Sequence, residues 1–142
     1  MLLTNHTLAG IALGLTIDDP LVLAPVAVAS HFALDSIPHF GGQRFNFDDP
    51  IGQKLAFFDC LSALALAIGA VAIWPQRFPQ LFVGVLGATA PDLLYVPRYV
   101  MGIKFWEPLF RFHHKIQLER WWGLATELTA TSILIMILRK HL

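Results

Sequence analysis

Residues 21–39 read LVLAPVAVASHFALDSIPH. The first nine are apolar, and then His31, Asp35 and His39 follow at intervals of four. His31 and Asp35 at i and i+4 share one helix face. A soluble core rarely carries an imidazole and a carboxylate on one stripe. A membrane helix carries them when they have work to do, and otherwise excludes them.

The rest of the chain is equally oily. Charged residues make up 14% of the 142 positions, against roughly 25% in ordinary soluble domains. Hydrophobic residues reach 56%, and the mean hydropathy is +0.59. Apolar runs fall at about 2–17, 20–37, 53–74, 81–97 and 121–138. A membrane span needs roughly 17–25 residues. The expected fold is therefore all-α: one domain over 1–142, an integral membrane bundle of four to five spans. The opening run, MLLTNHTLAGIALGLTI, lacks a basic leader and is broken by Asn5-His6, so it is read as the first span. Formal net charge is zero and no basic run exists, which excludes nucleic acid as an expected partner. Cys60 stands alone and has no internal disulfide partner.

Punctuation supports these limits. Asp-Asp-Pro occurs at 18–20 and 48–50. An Asp can cap a helix whose first residue is Pro, so Asp18, Asp19, Asp48 and Asp49 are read as structural. RFPQ at 77–80 opens the next helix in the same manner, Pro97 closes it, and PHFGGQRFNF at 38–47 forms a turn-rich loop. IKFWEPLFRFHHKIQL at 103–118 differs from the oily runs. Pro108 suits a first turn. Phe105, Leu109, Phe112 and Ile116 form one stripe with Lys104, Arg111 and Lys115 off it, as in an amphipathic helix lying at an interface. Trp121 and Trp122 follow where an aromatic belt belongs.

With five spans, Arg44, Lys54, Arg98, Lys104, Arg111, Lys115 and Arg120 fall on one side; Arg77, Arg139 and Lys140 fall on the other. The richer side is expected to be cytoplasmic. His6, His31, Asp35, Asp59, Asp92, His113, His114 and Glu127 all map to that same end. Carboxylates there require water, a shared proton or a cation. Mixed imidazole and carboxylate donors suit a divalent ion, zinc first, then manganese or iron. His6, His31, Asp35, Asp92 and His113 are the candidate metal ligands; of the adjacent histidines, His113 is expected to face inward. Asp59, Glu127 and His114 are the candidate catalytic groups. Pro91 releases the carbonyl of Gly87 and places a kink beside Asp92.

The segments TNHTLAGIALG, SHFALDSIPHF, ATAPDLL and FHHKIQ together resemble small bacterial integral-membrane proteins described as membrane-bound metal-dependent hydrolases. The early Thr-x-His is matched by Thr4-Asn5-His6 and the later Pro-Asp by Pro91-Asp92. No second Asp follows Asp92 at the spacing of the extended family motif. The resemblance implies a bacterial inner-membrane protein and hydrolysis of an ester, phosphoester or amide, with a membrane lipid or other amphiphile as substrate. The chain has no Gly-x-Ser-x-Gly elbow and no phosphate-binding Gly loop. The competing expectation is a structural metal or polar cluster in a non-catalytic assembly module. A channel is disfavoured, because one half of the bundle is apolar. The oligomeric state is not encoded in any of these patterns.

Overall fold

The computed structural model describes residues 1–40, 50–94 and 107–142. They form six α-helices: α1 (Leu3–Thr16), α2 (Pro20–Asp35), α3 (Pro50–Ile73), α4 (Phe78–Leu93), α5 (Glu107–Ile116) and α6 (Gly123–Leu138). Short 3₁₀ turns, Pro75–Arg77 and Arg139–His141, follow α3 and α6. No strand forms among the described residues; the one isolated bridge joins His39 to Glu119. The expected all-α class holds.

The number of spans needs correction. Among the described residues, only α3 is long and apolar enough by itself to cross a membrane. The other four apolar helices have 14 to 16 residues, about 21–24 Å at 1.5 Å per residue, against a hydrocarbon core of about 30 Å. The apolar runs are longer than the helices because their ends are spent on caps and turns. Asp19 caps α2 by accepting from the Leu21 amide at 2.9 Å, while Asp18 pairs with Arg77 instead. Pro79 stands in the first turn of α4, and Pro108 in that of α5. Asp48, Asp49, most of the 38–47 loop, Pro97, Lys104 and Phe105 lie outside the described residues.

α1 is the axis. Nine of its residues are buried, on every face, which marks a central helix. Contacts along it fix the direction of its neighbours. Gly10 meets Gly84 and Gly14 meets Gln80, so α4 runs antiparallel to α1. Asp59 meets Thr4, while Ile11 and Leu15 share a core with Ala70, Leu81 and Leu138, so α3 and α6 run parallel to it. The N-terminus of α1 and the C-termini of α2 and α4 therefore meet at one end. The α1–α4 crossing depends on small residues: a Cβ on Gly10 would stand 2.6 Å from the Gly84 carbonyl oxygen, and one on Gly14 would stand 2.7 Å from that of Gln80. Backbones approach this closely where no side chain intervenes.

After α2 the chain pairs briefly with the segment after α5. His39 N–H donates to Leu118 O at 3.0 Å, Arg120 N–H to His39 O at 2.9 Å, and Leu118 N–H to Asp35 O at 3.1 Å. These bonds hold α5 over the end of α2. The outer surface is oily: Leu21, Phe57, Phe58, Leu61, Leu64, Ile68, Phe82 and Leu128 are all more than half exposed.

Candidate metal centre

Asp35 ends α2 and is fully buried, as is His31 one turn before it. Three imidazoles converge on this carboxylate. His113 Nε2 lies 2.6 Å from Asp35 Oδ2 and His31 Nε2 lies 3.2 Å from the same oxygen. His6 Nε2 lies 3.2 Å from Asp35 Oδ1. The Met1 amino group also contacts Oδ1. Asp92 closes the ring from α4: its Oδ1 is 3.8 Å from His31 Nε2 and 3.7 Å from His113 Nε2, and its Oδ2 is 3.9 Å from His6 Nε2. Its side chain keeps 29% exposure while the other four keep 1% or less. Asp92 is thus the edge through which the centre meets its surroundings.

Four helices supply these groups for identifiable reasons. α1 delivers His6 from its first turns and α2 delivers His31 and Asp35 from one face. Asp92 follows the in-helix proline Pro91. On α5 the inward face is Phe110 and His113, with Phe112 half exposed. His113 faces inward as expected and His114 is exposed. Edge-on ring contacts between Phe32 and both Phe112 and His113, with centroids 5.2 and 5.8 Å apart, fix α5 against α2.

The tautomers follow from the partners. His31 Nδ1 lies 2.8 Å from the Ala88 carbonyl oxygen. A carbonyl only accepts, so Nδ1 carries the proton and Nε2 of the neutral ring presents a lone pair to Asp35, Asp92 and His113. A histidine whose far nitrogen donates to a carbonyl has the orientation of a metal ligand. Acceptors facing each other at 3.0–3.2 Å repel unless a proton or cation lies between them. His6 Nδ1 is buried with no hydrogen-bond partner, so its polar contacts are made only through Nε2. Ligands at about 2.1 Å around a tetrahedral ion stand about 3.4 Å apart, a value that falls inside the 2.6–3.8 Å range of the donor separations here. His31, Asp35, Asp92 and His113, with ligand atoms all within 4.8 Å of one another, can hold a metal ion.

The three candidate catalytic residues lie elsewhere. Asp59, on α3, accepts from the amides of Leu3 and Thr4 at 2.7 and 3.0 Å and from Thr4 Oγ1 at 2.6 Å. Glu127, on α6, accepts from the Leu2 amide at 3.1 Å and from Asn5 Nδ2 at 2.6 Å; Asn5 Oδ1 accepts in turn from Thr131 Oγ1. Leu2, at the N-cap of α1, makes no side-chain cap, so these two carboxylates cap the helix from outside it. His114 faces away from the centre. His39, four residues after Asp35, is also outside it: its Nδ1 donates to Ile37 O at 2.9 Å, and burial pushes its pKa below 6.5.

Sequence reasoning did not anticipate the Ala88 carbonyl, Asn5 or Gln117, whose amide lies 3.3 Å from His113 Nε2. Gln117 stands four residues after His113, a spacing that could have drawn attention to it. The one signal for a free carbonyl, Pro91, points to Gly87 rather than to its neighbour Ala88. No family model, no curated protein and no solved structure matches this chain.

Proposed function

We propose that this chain is a membrane-embedded, metal-dependent hydrolase that cleaves a lipid-like or amphiphilic ester, phosphoester or amide at the cytoplasmic interface. The observation that carries the metal reading is the convergence of His31, Asp35, Asp92 and His113 from three helices onto one volume. A divalent ion held there, zinc before manganese or iron, supplies Lewis acidity and lowers the pKa of bound water. The chain's own groups do the rest. His31 is held in its ligating tautomer by Ala88. Asp92 is the one partly exposed ligand. Exposed Phe112, Trp121 and Trp122 offer apolar surface beside α5 for a substrate's tail. Asp59 and Glu127 act on the site by holding the first turn of α1.

The membrane reading is supported by α3 and by the exposed apolar faces of α2, α4 and α6; it requires the bilayer to thin around the shorter helices. The sidedness, and the bacterial inner membrane as location, are supported by the Lys/Arg distribution and by the motif resemblance around Thr4-Asn5-His6 and Pro91-Asp92. The near-complete burial of four of the five ligands favours a second reading, a structural centre in a non-catalytic module, because structural sites are closed by protein.

Elemental analysis of detergent-purified protein tests the first half. Wild type is expected to retain a divalent metal that the His31→Ala/Asp35→Ala double variant lacks; equal metal in both would refute the site. The second half is tested with chromogenic acyl esters and phosphoesters of increasing chain length. Turnover that is lost on chelation and restored by metal supports the hydrolase. Metal-loaded protein that is folded, unfolds on chelation and turns over none of them leaves the structural centre.

A further inference from the structure

The two carboxylates of the centre face in two directions at once. Asp35 turns Oδ2 toward His31 and His113 and Oδ1 toward His6. Asp92 does the same, with Oδ1 toward His31 and His113 and Oδ2 toward His6. Each carboxylate therefore has one oxygen in each of two pockets. One pocket is completed by two imidazoles and the other by the single imidazole of His6.

We infer that the centre is dinuclear: a second divalent cation is held by His6 Nε2, Asp35 Oδ1 and Asp92 Oδ2, bridged through both carboxylates to the ion on His31 and His113. This rests on the metal-binding reading above and adds to it a site with its own ligands. Paired ions in hydrolytic centres stand about 3.5–4 Å apart. The rings of His6 and His31 are stacked with centroids 4.0 Å apart and planes 22° from parallel. Parallel imidazoles at that separation, each presenting Nε2 to the same two carboxylates, fit neighbouring ions, one on each ring. With an ion there, His6 donates its Nε2 lone pair, so its proton moves to Nδ1, the atom that now has no partner; a water or a small shift of the ring would satisfy it. Two ions beside two bridging carboxylates leave positive charge, and Asp59 and Glu127, bonded within four residues of His6, offset it. The rival occupant of the His6 pocket is the Met1 ammonium, which contacts Asp35 Oδ1.

The test uses the full chain in detergent, with a purification tag that contains no histidine. It is stripped with chelator, loaded with Mn²⁺, freed of excess ion by gel filtration, and measured for Mn per chain and by electron paramagnetic resonance. Wild type is expected to retain two Mn²⁺ with an exchange-coupled spectrum, and His6→Ala and His6→Gln to retain one with the spectrum of an isolated ion. If neither variant folds, the wild-type spectrum decides. Two uncoupled ions place the second one elsewhere and overturn the proposal. A single uncoupled ion in wild type also overturns it, assigns Asp35 Oδ1 to the ammonium, and leaves the mononuclear site standing. No retained ion removes both.

Discussion

The two ends of α1 are held in opposite ways. From Leu2 to His6, side chains and amides are engaged by polar groups from elsewhere: Glu127 and Asp59 on the amides, Asp35 and Asp92 on His6. From Gly10 to Leu15 the helix is held mainly by shape, glycine against glycine, with Ile11 and Leu15 in a core of Ala70, Leu81 and Leu138, and Arg77 adds a hydrogen bond to the Gly14 carbonyl at 3.0 Å. At the shape-built end, stability depends on close approach. At the polar end, position depends on hydrogen bonds and charge, and removing one partner strands the others in a buried site. A chain that needs several ligands at fixed places gains from having one end of its central helix locked by packing, because the other end then has little freedom to drift.

The largest effect that would break this contrast is at the crossing of α1 and α4. Gly84→Leu is expected to cost about 3 kcal/mol and to abolish a monodisperse detergent-solubilised species in gel filtration. Unchanged unfolding in denaturant would mean that the two helices are not held by backbone contact. At the polar end, Asp35→Asn is expected to weaken metal binding by more than about tenfold, since even groups outside the ligand set cost about that much. Titration with a competing chelator measures it, and unaltered affinity would remove Asp35 from the ligand set.

Asp59→Ala separates a cap from a base. Loss of a helix cap costs about 1–2 kcal/mol, so the variant should unfold earlier while retaining its metal. Loss of turnover with wild-type stability would return Asp59 to a catalytic role. The smallest effect concerns His39. Burial holds its pKa in the fold below the ordinary 6.5, so the neutral ring is favoured by folding. The stability this supplies is complete above about pH 6.5 and is lost as pH falls below it, because the unfolded chain takes up the proton first. His39→Asn should flatten the stability–pH profile by under about 1 kcal/mol between pH 7 and pH 6. A parallel offset of the two profiles would mean that His39 does not titrate on unfolding.

Much of this was legible in the residues. The apolar runs locate α1 to α4 and α6, Asp19-Pro20 starts α2 where a capping residue before a proline should, and His113 rather than His114 turns inward. The five candidate ligands are identifiable because imidazoles and carboxylates in oily helices are costly, and each lies within a few residues of a helix end at one level of the bundle. Their common facing follows from the alternation of helix direction. The readings that differ did so for one physical reason. Hydropathy reports that a segment is apolar, and cannot say how many of its residues are helical once caps and turns take theirs, so α1, α2, α4 and α6 are shorter than spans.

Side-chain roles divide along the same line. That Asp59 and Glu127 are buried carboxylates near the site is visible in the sequence. That they hold the amides of Leu2 to Thr4 is a matter of which helix lies beside which, since nothing in α3 or α6 records the uncapped end of α1. Local pattern suffices for the helices, their oily character and the donor types available for a cation. Which donors come together, and which oxygen of Asp35 faces His6, depends on packing, because those distances are set by the crossing of α1 with α4 and by the backbone bonds that fix α5, contacts between residues dozens of positions apart.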